Sequence, residues 1–494
     1  MAEEHVDYKR AAKTTFLFSA VQIIRLGIGL IRNKVVAVLL GPAGMGIMNV
    51  LTSYTHFVQS GACLGLSQSA VKDVSEANGE NNREKFSRII SLTNKLVLMT
   101  SLLGLVITAI MSPYFSKWGF GHYGYTISFI LLSLSVAFEI YVENRLAILK
   151  GMRQMRSLAK TTIIGSIAGL ITGIPIFFFM GEKGIVPSIL VSSFTGVIVT
   201  NYFVNKISYD KIDLSFKEII NEGGPMLKMG IALMSINFLS SVFVTIITTY
   251  LSRRSGVEMV GIYRSGEFLL KQCFGVVLVA MNTDYYPRIC AVNNNNIQLK
   301  AEVNAQSKLG LTLCLPLALA FVAYSTIIIT LLYSNAFLDI ITYTDIAIIG
   351  TLVSVPSNCI AMVLLAKQDA KAFTSIAVVL NIVNLGVFIG MYEWLGLLGL
   401  GFANIINCLM QIVVYCVVIN KRHGIRLSKE VLLLTLVSIF FVIIAVAMKS
   451  IFSTTVLYVV ESVLVIVSCI YSYIKLKKMN INVFAFIKKK VEKK

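Results

Sequence analysis

Residues 14–40 read TTFLFSAVQIIRLGIGLIRNKVVAVLL, and residues 46–72 read GIMNVLTSYTHFVQSGACLGLSQSAVK. A bilayer core takes about twenty apolar residues per helix, so each stretch is long enough for one crossing. The same window places further spans near 86–111, 123–148, 158–180, 185–206, 225–251, 259–285, 305–333, 341–366, 373–393, 397–420, 430–449 and 453–474. That makes about fourteen, with boundaries good to about four residues. An even number leaves both termini on one side. The fold class expected is an all-α polytopic membrane protein.

Composition agrees. Of 494 residues, 56% are hydrophobic and 14% charged, with a mean hydropathy of +0.78. A soluble chain is nearer about a quarter charged, so a soluble enzyme, a disordered regulator and a secreted disulfide scaffold are excluded. The net charge of +19 would suit nucleic acid. Basic residues scattered between apolar runs instead mark the cytoplasmic edge of a membrane protein, and no nucleic-acid partner is expected. The eight cysteines form no C-x-x-C pair and read as small buried hydrophobes. No small-residue cleavage site follows the first apolar run, which reads as a retained span.

With the N-terminus inside, about 33 of the 44 Lys and Arg fall on inner segments and about five outside. The outer five are Lys117, Lys183, Arg253, Arg254 and Lys449. The tail ending Lys488-Lys489-Lys490 is cytoplasmic on this reading, and Trp118 and Trp394 sit at outer boundaries. The longest inner connections, around 73–85, 207–224 and 288–304, read as polar linkers. No connection holds a catalytic domain, so a transporter is expected and not an enzyme.

Gly41-Pro42-Ala43-Gly44-Met45-Gly46-Ile47 aligns with Gly256-Val257-Glu258-Met259-Val260-Gly261-Ile262, about 215 residues later. This is a parallel repeat about the membrane normal. It divides the chain into an N-lobe (1–215), a C-lobe (216–422) and an appendage with a basic tail (423–494). Two six-helix lobes leave a cavity between them, where repeat-built transporters hold substrate.

Polar residues recur at helical spacing inside the spans. The first carries Gln22, Arg25, Gly29 and Arg32, followed by Lys34. The second carries Asn49, Thr52, His56, Gln59 and Cys63, the seventh Asn237, Ser241, Thr245 and Thr248, and the eighth Arg264, Glu267 and Lys271. An unpaired cation at mid-bilayer costs at least ~3 kcal/mol, so these stripes should face a wet cavity. Glu267 lies one turn from both Arg264 and Lys271 and offsets one of them, leaving net positive charge. Arginine forks bind phosphate bidentately and lysine is a compact partner charge. Arg25, Arg32, Lys34, Arg264 and Lys271 are therefore the candidate diphosphate contacts. Gln22, Asn49, Thr52, His56, Asn237, Ser241 and Glu267 are the polar lining. Glu139, Glu143 and Arg145 read as an interfacial salt-bridge group at the inner end of the fourth span. No metal site is expected.

The run from Lys34 through Gly41-Pro42-Ala43-Gly44-Met45-Gly46, with Arg25 before it, resembles the opening of Wzx-type O-antigen flippases. These belong to the multidrug/oligosaccharidyl-lipid/polysaccharide (MOP) exporter superfamily. Val260-Gly261-Ile262-Tyr263 and Tyr286-Pro287-Arg288 resemble its second half. The resemblance implies movement of undecaprenyl-diphosphate-linked oligosaccharide from the inner to the outer leaflet of the bacterial cytoplasmic membrane by alternating access. It implies Arg25 and Lys34 as basic positions of the first span, membrane lipids as surroundings, and a polysaccharide polymerase and chain-length regulator as partners. No cofactor is expected, and the residues leave open whether H⁺ or Na⁺ drives the cycle. The rivals are a multidrug antiporter, disfavoured because spans one and two lack a carboxylate, and a membrane-embedded polymerase or ligase, disfavoured by the short outer loops.

Overall fold

The computed structural model describes residues 8–80, 82–451 and 454–479. Thirteen α-helices cover most of them: α1 (Tyr8–Ala62), α2 (Leu66–Gly79), α3 (Arg83–Phe120), α4 (Thr126–Gly151), α5 (Met155–Met180), α6 (Ile185–Val204), α7 (Phe216–Ala291), α8 (Asn296–Ala323), α9 (Ser325–Leu332), α10 (Ile340–Ala366), α11 (Ala370–His423), α12 (Lys429–Met448) and α13 (Thr454–Lys478). The basic tail, including Lys488-Lys489-Lys490, lies outside the described residues.

Three helices are too long for one crossing. The 55 residues of α1 would extend about 80 Å as a straight helix, against a ~30 Å hydrocarbon core. Each breaks at a glycine with positive φ: Gly41 in α1, Gly256 in α7 and Gly396 in α11. Divided there, they supply two passes each, and α3, α4, α5, α6, α8, α10, α12 and α13 one each, matching the spans predicted. Outward faces carry bare apolar side chains such as Leu102, Ile127, Phe179, Ile382 and Leu436. That much exposed apolar surface suits lipid and not water.

The helices outrun the apolar stretches. α2 reaches Gly79, α7 begins at Phe216 and ends at Ala291, and α8 begins at Asn296, so the predicted linkers are much shorter than expected. Hydropathy marks only the apolar part of a helix. Pairs one turn apart, Lys72–Glu76 and Arg288–Asp284, extend it into polar surroundings. The Asn-containing loops supply caps: Asn82 Oδ1 accepts from Lys85 N, and Asn295 Oδ1 from Ile297 N and Gln298 N.

The two aligned glycine segments adopt similar backbones, with Gly41 at φ 65°, ψ −171° and Gly256 at φ 87°, ψ 169°. They also pack on each other reciprocally. A Cβ on Gly46 would stand 1.7 Å from the Val257 carbonyl oxygen, and one on Gly261 2.0 Å from that of Pro42. Contact of each member with the other's counterpart is the mark of a two-fold relation, and only glycine permits so close an approach.

The helices gather into two compact units. One runs to Arg264 and includes Leu332–Ala336; the other comprises Ser265–Leu331 and the chain from Phe337 onward. In the first, Leu66, Leu92, Leu96, Val97 and Ala147 knit α2, α3 and α4. In the second, Tyr285, Ile289, Val303, Ile360, Leu364 and Ile419 bind α7, α8, α10 and α11.

Candidate functional site: a chain of polar cavities in the first unit

Three cavities with shared walls run through the first unit. The one lined by Arg25 holds about 470 Å³, between the start of α1 and α4, α5 and α6. Val142, Leu146 and Gly196 separate it from a second of about 420 Å³, which receives Arg32, Glu139 and Glu143. Thr52, Gln59 and Glu143 in turn border a third of about 500 Å³, lined by His56, Ser60, Asn237, Ser240, Ser241 and Arg264.

Local sequence explains these placements. The stripe on the first pass of α1 turns Arg25 and Arg32, two turns apart, toward successive cavities. The second pass turns Thr52, His56 and Gln59 inward at the same spacing. Beyond Ala62 the chain breaks at Leu64-Gly65, both at positive φ. A Cβ on Gly65 would meet the Gly230 carbonyl oxygen at 1.9 Å, so the turn between α1 and α2 touches the first pass of α7 here, whereas at Gly46 and Gly261 the second passes of α1 and α7 meet.

The lining is hydrogen-bonded but not neutral. Ser67 Oγ donates to Glu143 Oε1 at 3.0 Å and Gln59 Nε2 to Oε2 at 3.4 Å. Glu139 lies against Ser135 and Ser193 and within electrostatic reach of Arg32. The Ser60 and Ser241 hydroxyls are 2.6 Å apart, and Thr245 Oγ1 reaches the Ser53 carbonyl at 3.1 Å. Together the three linings hold four cationic side chains, Arg25, Arg32, Lys150 and Arg264, and two carboxylates, Glu139 and Glu143. With His56 neutral, the described lining stays positive.

Of the predicted residues, Arg25, Arg32, Thr52, His56, Asn237, Ser241 and Arg264 line these cavities. Others go elsewhere. Lys34 donates to the Tyr333 carbonyl. Asn49 Nδ2 bonds its own helix at the Met45 carbonyl, 2.8 Å away. Lys271 Nζ pairs with Glu267 Oε1 at 2.5 Å in the second unit, as the one-turn spacing allowed. The Gln22 side chain lies outside the described residues. Among those described, no group of three His, Cys, Asp or Glu could hold a metal.

The fourth span departs from its reading as an interfacial salt bridge. Arg145 is buried and donates to Asn94 Oδ1 at 2.7 Å, Asn201 Oδ1 at 3.2 Å and Asn205 Oδ1 at 2.6 Å, over the Tyr141 ring. Amides take both terminal nitrogens of its fork without a carboxylate, while its buried Nε has no partner among the described residues. Glu139 and Glu143 face the cavities instead. The signal was available: Ser135, Glu139 and Glu143 stand at four-residue steps, the spacing that marked the other stripes.

A family model described as polysaccharide biosynthesis protein matches residues 11–293, more than half of the chain. Over 160 residues the chain is 25% identical to the lipid III flippases of Escherichia coli (strain K12) and Shigella flexneri, covering 32% of this chain and 38% of those relatives. Among solved structures it resembles a lipid II flippase, MurJ, in an inward closed conformation (TM-score 0.75, 15% identity, 94% of this chain and 99% of that one). It also resembles an inward-facing multidrug resistance MATE transporter of the MOP superfamily (TM-score 0.66, 13% identity, 82% and 95%). The fold is thus that of MOP transporters, and the chain belongs to the polysaccharide biosynthesis protein family.

Proposed function

We propose that this protein flips a diphosphate-linked lipid oligosaccharide across the bacterial cytoplasmic membrane, the cargo being an undecaprenyl-diphosphate-linked O-antigen or related repeat unit. The observation that carries this reading is the cavity chain itself. Three guanidinium groups and one ammonium exceed two carboxylates along polar space large enough for a sugar head group. Arginine forks suit diphosphate, and the serines, threonines, Asn237 and Gln59 suit sugar hydroxyls. The family and the flippase relatives support the same direction.

In this account both termini are cytoplasmic and the head group enters from the inner leaflet while the polyprenyl tail stays in lipid. The Gly65–Gly230 approach opens for entry and the Gly46–Gly261 approach for exit. An inside-negative potential favours anion exit by ~2.3 kcal/mol per charge per 100 mV if the full field is crossed.

Glu139 and Glu143 favour a second reading, a cation-exporting multidrug antiporter, because carboxylates lining a cavity within the spans suit cationic drugs. One assay separates the two. In proteoliposomes with a fluorescent undecaprenyl-diphosphate sugar, the wild type moves the lipid. Arg25→Ala and Arg264→Ala then slow it by about tenfold or more, as loss of one charge-assisted contact implies. Unchanged flipping in both variants, or drug export without flipping, would overturn the proposal.

A further inference from the structure

The second unit contains an ionic cluster apart from the cavities, its two acids buried and its lysine half-buried. Asp345 stands near the start of α10, Ser325 opens α9, Lys449 follows α12, and Glu461 lies in the second turn of α13. Lys449 Nζ donates to Asp345 Oδ2 at 2.7 Å and to Ser325 Oγ at 2.8 Å. Glu461 is within electrostatic reach of both Lys449 and Asp345, the charged groups that face it. Beside it, the hydroxyls of Tyr324 and Ser462 are 2.9 Å apart, and the Tyr324 ring stacks on Tyr458.

The cluster does not balance. Glu461 is 1% exposed and Asp345 6%, yet Asp345 Oδ1 and both Glu461 oxygens have no hydrogen-bond partner among the described residues. Two carboxylates against one ammonium leave one excess negative charge, and an enclosed carboxylate without a partner is strongly disfavoured. One further positive charge restores balance. A divalent ion would overshoot it beside Lys449, and three hard oxygens suit a small cation.

We propose that Asp345 and Glu461 form a binding site for one small monovalent cation, H⁺ or Na⁺, held beside Lys449. The site stands whether or not the cargo assignment holds.

The test uses the full chain purified in detergent. In Na⁺-free buffer at neutral pH, infrared difference spectra of wild type against Glu461→Gln read a protonated carboxyl through its carbonyl stretch and its shift in D₂O. Equilibrium binding of ²²Na⁺ reads the alternative. A bound proton gives a carboxyl band lost in the variant; bound sodium gives about one saturable site per chain, lost in the variant. Gln is isosteric with the protonated acid, so the variant is expected to keep its gel-filtration and circular-dichroism profiles. If it does not fold, Asp345→Asn serves for the same two readouts. The proposal is overturned if neither readout differs between wild type and the folded variant, which would leave the cluster a structural ion pair.

Discussion

The cavity chain of the first unit and the Asp345–Glu461 cluster of the second both place ionisable side chains inside apolar helices, on opposite terms. Along the cavities Glu143 is hydrogen-bonded by Ser67 and Gln59 and Glu139 lies against Ser135 and Ser193, His56 and Asn237 are exposed, and about 500 Å³ of space adjoins Arg264. In the cluster, acid oxygens are enclosed without partners among the described residues. A charge beside space can exchange a large ligand, whereas a charge without space accommodates only an ion of atomic size.

The largest effect expected falls on the frame around the cavities. Gly46→Val places a side chain against the Val257 carbonyl, where even a Cβ would stand 1.7 Å away. The close-packed arrangement cannot form around that side chain, so flipping should be abolished and the yield of folded protein in gel filtration in detergent should drop. Next comes Arg145→Ala, which takes the donor from the side-chain carbonyls of Asn94 and Asn205 and leaves that of Asn201 with the Tyr141 hydroxyl alone. It should cost about 2–4 kcal/mol in thermal or denaturant unfolding, and its effect on transport should follow protein level. Arg264→Ala should do the reverse: transport falls while stability holds. A smaller effect is expected of Glu143→Gln, which retains an acceptor for Ser67 but removes a negative charge from the lining. Affinity for a short-chain prenyl diphosphate, measured by titration calorimetry, should rise about two- to fivefold. Smallest of all is Lys271→Ala. This cation is already paired with Glu267 and its side chain is 69% exposed, so flipping should change less than about threefold.

Much of the frame was legible in the sequence because lipid imposes a simple rule. Apolar length predicted the passes, and the Gly41 and Gly256 segments, matched by alignment, share both backbone form and mutual contact. Helical stripes identified Arg25, Arg32, His56 and Arg264 as cavity-lining. What escaped depends on the partner across the gap, which spacing along one helix does not encode. Lys34 meets a carbonyl at Tyr333, almost three hundred positions away in sequence. Glu139 and Glu143 were read by their distance from a helix end, when their rotation about α4 decides where they point. Glu461, a lone carboxylate in an apolar span, is a signal in its own right, but its proximity to Asp345 and Lys449 emerges only when α10, α12 and α13 are assembled.

What the guanidinium groups of the cavity chain hold is read most plainly by direct binding. Farnesyl diphosphate and farnesol should be titrated into the purified wild type and into Arg25→Ala, Arg32→Ala, Arg264→Ala and Lys271→Ala. The account predicts that the diphosphate binds far more tightly than the alcohol, that each arginine variant weakens it about tenfold, and that Lys271→Ala leaves it nearly unchanged. Equal affinity for the two ligands, or equal binding by all four variants, would contradict it.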